Sequence, residues 1–181
     1  EETRLGTLHQ TPANTLTAYT VTERTERSIT METKAFGFDL RRTLTLAPDK
    51  PVLTVKNEIT NNQGGPAPLI VRNHLEFELG DLMKTGVSFI NRAGASITRD
   101  MESIVAGLRE GESYREQNTP NGAWTFQGSK GLQVTQTFDP DQIDYTWLFA
   151  YPDDLNELEM ELWAKPITLA PGERVIFTHA I

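Results

Sequence analysis

Apolar and polar residues alternate along much of this chain. Between Phe38 and Leu46, the positions Phe38, Leu40, Leu44 and Leu46 are apolar, with Arg42 interrupting, and Asp39, Arg41, Thr43 and Thr45 fill the gaps. A period of two sends successive side chains to opposite faces, the pattern of a strand with one buried side. Ala47-Pro48-Asp49-Lys50-Pro51 reads as a turn, because proline presets φ and aspartate bonds its own backbone. Leu53, Val55 and Ile59 mark the next strand, ended by Asn61-Asn62-Gln63-Gly64-Gly65-Pro66. Leu69, Val71, Leu75, Phe77 and Leu79 then predict one strand running from Leu69 to Leu79. Further strands are expected from Gly131 to Phe138, Ile143 to Ala150, Glu157 to Ala164 and Arg174 to Ile181. Turns at Asp139-Pro140-Asp141, Tyr151-Pro152-Asp153-Asp154 and Ala170-Pro171-Gly172-Glu173 separate them.

One segment has a helical period. Met101, Ile104, Val105 and Leu108 recur at i, i+3, i+4 and i+7, with Gly111 where a C-terminal cap belongs and Thr98 or Asp100 as the N-cap. Many strands at short spacing with one short helix predict an all-β, two-sheet antiparallel sandwich, not a parallel α/β sheet. No repeat or long linker divides the chain, so residues 1–181 are expected to form a single domain.

Composition narrows the chemistry. At 181 residues the chain is long enough for a core that needs no disulfide or metal to hold it. It has no cysteine, which excludes thiol catalysis, disulfides and thiolate-bound zinc. A formal net charge of −8 argues against nucleic acid and anionic membranes as partners. No apolar run approaches the roughly 20 residues that span a bilayer. The first residues, Glu1-Glu2-Thr3, carry no initiator methionine or signal-type segment, so the chain is expected to be cut from something longer. Compartment is left open, with a periplasmic or secreted one favoured.

Two polar strips stand out. With the odd positions of the Leu69–Leu79 segment in the core, Arg72, His74, Glu76 and Glu78 project from the other face, about 6.5–7 Å apart along the strand. A cation, an imidazole and carboxylates suit bonding to hydroxyl groups and acid/base work; they equally suit a solvated face with a cross-strand ion pair. In the segment Glu157 to Trp163, Leu158, Met160 and Leu162 form a buried face, and Glu157, Glu159, Glu161 and Trp163 the other. An indole beside carboxylates offers a platform for a sugar's C–H face and acceptors for its hydroxyls. Nearby Arg or Lys partners would explain the same charges, since like charges in line are unfavourable alone. Tyr145, Trp147 and Phe149 alternate within one strand and are expected to pack in the core or between sheets, with a binding platform as the alternative. Trp124 follows Pro120-Asn121-Gly122 at a strand entry, and could be core or platform. The carboxylates of Asp139, Asp141 and Asp144 lack the glycine and terminal glutamate of an EF-hand loop. His9 and His179 are isolated and expected to be structural. No phosphate loop, metal-spaced His pair or nucleophile elbow occurs, so neither a metal nor a cofactor is expected.

Taken together, several segments resemble the galactose mutarotase-like superfamily, the supersandwich of the aldose 1-epimerases and of domains in polysaccharide-processing enzymes. The stretches are Val55-Lys56-Asn57-Glu58-Ile59-Thr60-Asn61-Asn62, Pro66-Ala67-Pro68, Asn73-His74-Leu75-Glu76-Phe77-Glu78-Leu79, and Glu161-Leu162-Trp163 followed by Pro166-Ile167-Thr168-Leu169-Ala170-Pro171-Gly172-Glu173. The resemblance implies His74 as general acid on a sugar ring oxygen and Glu161 as general base on the anomeric hydroxyl. Arg72, Glu76, Glu159 and Trp163 become the expected substrate-binding residues. The chain departs from an epimerase in its short N-terminal part, which in that family supplies an arginine and a second histidine. The resemblance therefore implies first a carbohydrate-binding or carbohydrate-associated domain of a saccharide-processing protein, with a catalytic domain of the same longer chain as partner. The alternatives are an aldose 1-epimerase-like isomerase, and a structural sandwich that packs on a catalytic neighbour.

Overall fold

The structure is a computed structural model that describes residues 18–102, 104, 112–151 and 157–181. Its strands are β1 (Thr20–Arg24), β2 (Ser28–Ala35), β3 (Phe38–Leu46), β4 (Leu53–Asn61), β5 (Ala67–Leu69), β6 (Arg72–Phe77), β7 (Gly86–Ile90) and β8 (Ser96–Asp100). They continue as β9 (Glu112–Arg115), β10 (Ala123–Gln127), β11 (Gln133–Phe138), β12 (Ile143–Tyr151), β13 (Glu157–Ala164), β14 (Ile167–Leu169) and β15 (Arg174–Ala180). The fold class is all-β, as the alternation predicts. Met101, Glu102 and Ile104 are helical, and residues 105–111 of the expected helix lie outside the described residues, as do His9 and the Pro152-Asp153-Asp154 turn. Thr98 sits inside β8, paired with Ser88, so of the two cap candidates only Asp100 adjoins the helical residues.

The chain divides into two compact units, residues 1–69 with 166–181, and residues 70–165. In the first, β1, β2, β3, β4 and β15 pair in that order, and β5 pairs with β14 as a separate ribbon. Phe38, Leu40, Val55, Ile59 and Phe177 are buried, as the period of two anticipates, whereas Leu44 and Leu53 are half-buried and Leu46, expected on the same face at the strand's end, is exposed. The turn into β15 is set locally. Pro171 and Gly172 occupy its centre, Gly172 has φ +77°, and the Glu173 amide donates to the Ala170 carbonyl at 2.9 Å, a type II turn that only glycine enters without strain.

Asn61 ties β4 to the β14 ribbon. Its fully buried Nδ2 donates to the carbonyls of Gly65 at 3.0 Å and Leu169 at 2.9 Å, and its Oδ1 accepts from the Gln63 amide at 2.9 Å. Asn61→Ala leaves three backbone groups short of a partner, and the expected loss is about 2–3 kcal/mol. Urea unfolding reads this as a lower midpoint at unchanged slope. An unmoved midpoint would mean that solvent replaces all three bonds.

The second unit is a two-sheet sandwich. One sheet has the order β11-β10-β7-β8, the other β6-β13-β12-β9. Val87 and Phe89 of β7, Trp124 and Phe126 of β10 and Phe138 of β11 pack with Tyr114 of β9, Leu148 of β12, and Leu158, Met160 and Leu162 of β13 in one core. Trp124 is core and not a platform. It is fully enclosed, meets Phe126 edge to face at 5.2 Å, and donates its indole N–H to Gln136 Oε1 at 2.7 Å.

The strand expected from Leu69 to Leu79 is broken. β5 ends at Leu69 and pairs with β14, whereas β6 begins at Arg72 and pairs with β13. Alternation continues across the break because it records which side each residue faces, not which strand it bonds. Pro68 is tolerated in β5 because a two-stranded ribbon leaves one edge without ladder bonds.

Candidate functional site

The sheet β6-β13-β12-β9 presents a polar face made of three rows. Residues opposite one another in an antiparallel ladder project to the same side. Arg72, Trp163, Tyr145 and Arg115 form the first row, His74, Glu161, Trp147 and Ser113 the second, and Glu76, Glu159 and Phe149 the third. Leu158, Met160, Leu162, Thr146 and Leu148 point the other way and are fully buried. All six residues that the sequence singled out, Arg72, His74, Glu76, Glu159, Glu161 and Trp163, thus share one face. The two strips are neighbours within one sheet. Glu78 lies exposed beyond the end of β6.

Glu161 is the centre of the bonding. Its Oε1 meets Arg72 Nη1 at 2.9 Å and His74 Nδ1 at 3.0 Å, and its Oε2 accepts from Trp163 Nε1 at 2.7 Å. On its other side His74 Nε2 lies 3.1 Å from Glu76 Oε1 and 3.6 Å from Glu159 Oε1. Burial by itself pushes the Glu161 carboxyl up, but His74, Arg72 and Trp163 together outweigh it and hold the group below the usual carboxylate range. The bond to Glu161 raises the His74 imidazole above its ordinary value, with the Glu159 charge assisting and partial burial opposing. The pair therefore favours an ionised carboxylate beside an imidazolium, a proton acceptor next to a proton donor.

Burial corrects two expectations. The side chains of Glu159 and Glu161 are only 8% and 7% exposed, so β13 is covered on both faces and is not a solvated strip of like charges. Trp163, expected as a platform, is 7% exposed; it stacks on Tyr145 at 5.2 Å and 14°, with the Arg72 guanidinium 5.4 Å from its ring. Its clearest task is to orient Glu161.

The half-exposed rings are the ones expected in the core. Tyr145, Trp147 and Phe149 stand on the polar face, half-buried, with Arg115 Cζ 3.7 Å from the centre of the Tyr145 ring. The register of β12 against β13 slips between Ile143 and Tyr145, and that irregularity sends Ile143 inward while the alternate aromatics face out. Sequence reasoning missed them because Thr146 and Leu148 between them also suit a buried face. Aromatic residues at a spacing of two beside a second apolar set mark a strand covered on both sides, and that signal was available.

His74, Glu159 and Glu161 also bring potential metal-ligating atoms within 4.8 Å of one another. Arg72 already supplies positive charge to Glu161, and His74 adds to it when protonated, so a cation there would compete with both. Asp139 serves a turn, its Oδ1 accepting from the Asp141 amide at 2.9 Å. His179 is buried in β15, in the first unit.

No protein-family model and no curated protein matches the sequence. Solved structures do match. A galactose mutarotase related enzyme from Lactobacillus acidophilus aligns with TM-score 0.70 at 13% identity, over 93% of this chain and 71% of that one. A galactose mutarotase-like protein from Lactobacillus casei aligns with TM-score 0.59 at 13% identity, over 89% and 71%. A TPR-domain containing protein from Parabacteroides distasonis aligns with TM-score 0.63 at 12% identity over 96% of this chain, which spans 35% of that protein. At such identities the likeness is one of fold, and the fold of this chain is the galactose mutarotase-like sandwich.

Proposed function

We propose that this chain is a carbohydrate-recognition domain of a saccharide-processing protein, with the β6-β13-β12-β9 face as its binding surface. The observation that carries the reading is the placement of Trp147 directly beside the Glu161–His74 pair in one row of the sheet. A pyranose has an apolar C–H face and a rim of hydroxyls. A half-exposed indole covers the first, and a carboxylate next to an imidazole bonds the second. The family fold supports the same class of ligand.

The experiment is calorimetric titration, with ligands drawn from a glycan array, of the wild type and Glu161→Gln. The variant keeps shape and removes the charge that Arg72 and His74 share. It is expected to weaken binding at least tenfold, about 1.4 kcal/mol. A folded wild type that binds no glycan on the array would overturn the reading and leave a structural module.

An aldose 1-epimerase-like activity is the second reading, favoured by the protonation states of the pair. Glu161 would take the proton from the anomeric O1 while His74 delivers one to the ring oxygen, breaking the C1–O5 bond and giving the open-chain aldehyde. Rotation about C1–C2 and reversal of both transfers complete the exchange. O1 and O5 share one carbon, so a donor and acceptor 3.0 Å apart can serve both. Polarimetry of a freshly dissolved aldose decides this. A wild-type rate equal to the spontaneous one excludes it.

A further inference from the structure

We propose that Arg115 and Tyr145 are positioning residues that hold the Glu161 carboxylate through Trp163. This rests on the carbohydrate reading for the use made of Glu161, and it names what fixes that group in place. Arg115 of β9, Tyr145 of β12, Trp163 of β13 and Arg72 of β6 are successive ladder partners in one row across the sheet. Their side chains stack in that order. Arg115 Cζ lies 3.7 Å from the centre of the Tyr145 ring, the Tyr145 and Trp163 rings are 5.2 Å apart at 14°, and Arg72 Cζ is 5.4 Å from the Trp163 ring. Exposure falls along the row, from Arg115 at the surface through half-buried Tyr145 to buried Trp163.

The row controls an angle that neither Trp163 nor Glu161 sets for itself. The last torsion of a glutamate and χ2 of a tryptophan both occupy broad wells. An indole with a ring on one side and a guanidinium on the other cannot turn about χ2 without leaving both, so the stack fixes where its N–H points. That N–H donates to Glu161 Oε2 at 2.7 Å, while Arg72 Nη1 meets Oε1 at 2.9 Å. Two neighbouring members of the row thus take one carboxylate oxygen each. The plane of the group is set, with Oε1 3.0 Å from His74 Nδ1. Tyr145 and Arg115 act one and two places further along. The register slip between Ile143 and Tyr145 is followed directly by the pairing of Tyr145 with Trp163. Irregularities of this kind re-aim side chains beside functional sites.

Proton NMR of the three tryptophan indole N–H groups tests this without any ligand. Tyr145→Leu, which keeps bulk but not a flat ring, is expected to speed exchange of the Trp163 N–H about tenfold, the scale of one hydrogen bond to a charged group. The Trp124 N–H, bonded to Gln136 in the core of the same unit, is expected to keep its wild-type rate. Tyr145→Phe preserves the stack and is expected to leave the wild-type rate at Trp163. Arg115→Gln, at an exposed position on the edge strand β9, is the second variant, with a smaller rise at Trp163 alone. Carbon NMR of the Glu161 carboxyl follows the effect to its target. Tyr145→Leu is expected to raise its titration toward the ordinary value, as Trp163→Phe does by removing the donor, and to add nothing on the Trp163→Phe background. Four results overturn the proposal: unchanged exchange at Trp163, an equal rise at Trp124, fast exchange in Tyr145→Phe, or a carboxyl shift that Tyr145→Leu still produces on the Trp163→Phe background. A protein that shows the expected changes and binds no glycan loses the carbohydrate reading alone. One that binds glycan without them loses only the positioning row.

Discussion

Arg72→Met is expected to destabilise the protein by about 3–5 kcal/mol, the cost of leaving a buried charge without its partner. The Arg72 and Glu161 side chains are 13% and 7% exposed and meet at 2.9 Å, so solvent screens them little. Removing the guanidinium leaves Glu161 with His74 and the Trp163 N–H as its remaining partners. The pair need not stabilise the fold relative to an apolar one. Arg72 Nη2 is enclosed and makes no hydrogen bond, a desolvation cost that methionine does not carry. Arg72→Met with Glu161→Leu is therefore expected to lose much less than the sum of the single changes. Guanidinium unfolding of the four proteins gives the coupling directly. If the double variant loses as much as the two singles together, the residues do not act as a buried pair. Such a pair, costly to assemble and expensive to break, is easier to understand as a functional feature than as a stabilising one.

Between pH 6.5 and 4, stability is expected to fall by about 3 kcal/mol through His179 alone. Burial, with the nearby Arg42 charge adding to it, lowers this imidazole to about 4 from an ordinary value of 6.5. The unfolded chain binds the proton in this interval and the folded chain does not, so acid favours unfolding until the folded group also titrates. His74 has the opposite sign. Its value is raised, so its contribution is complete below its ordinary value and is lost as pH rises through the folded one, outside this window. Glu161, held low, contributes above its ordinary value of 4.5 and loses that only as pH falls through its folded value. Denaturant titrations of the wild type and His179→Gln from pH 7 to 4 isolate the effect. The variant should lose most of the slope between 6.5 and 4, and an unchanged slope would remove His179 as its source.

Much of the fold was legible from one rule. Alternation located β3 and β13 at their observed bounds and β4, β11, β12 and β15 to within two residues at either end. It did not reveal β1, β8 or β9, where apolar residues are few, nor β7, whose Val87 and Phe89 alternate with Gly86 and Ser88; β1 is exposed along its whole length and β8 along most of it. Nor did it show β2, whose Ile29 and Met31 alternate with Thr30 and Glu32 and carried a usable signal. It ran β5 and β6 together because side-chain parity survives a change of partner strand.

The candidate site divides in the same way. By itself the sequence determined which residues share a side of their own strand, because that follows from the two-residue repeat of the backbone. Arg72, His74 and Glu76 had to project together, and so did Glu159, Glu161 and Trp163. Tertiary structure decided that these two sets are cross-strand neighbours, that Glu161 and Trp163 are buried, and that Tyr145, Trp147 and Phe149 face the site. Those outcomes depend on which strands pair, in what register, and on one irregularity in β12. Such pairing brings together residues far apart in the chain, as with Arg72 and Glu161, 89 positions apart, and no local pattern carries that information.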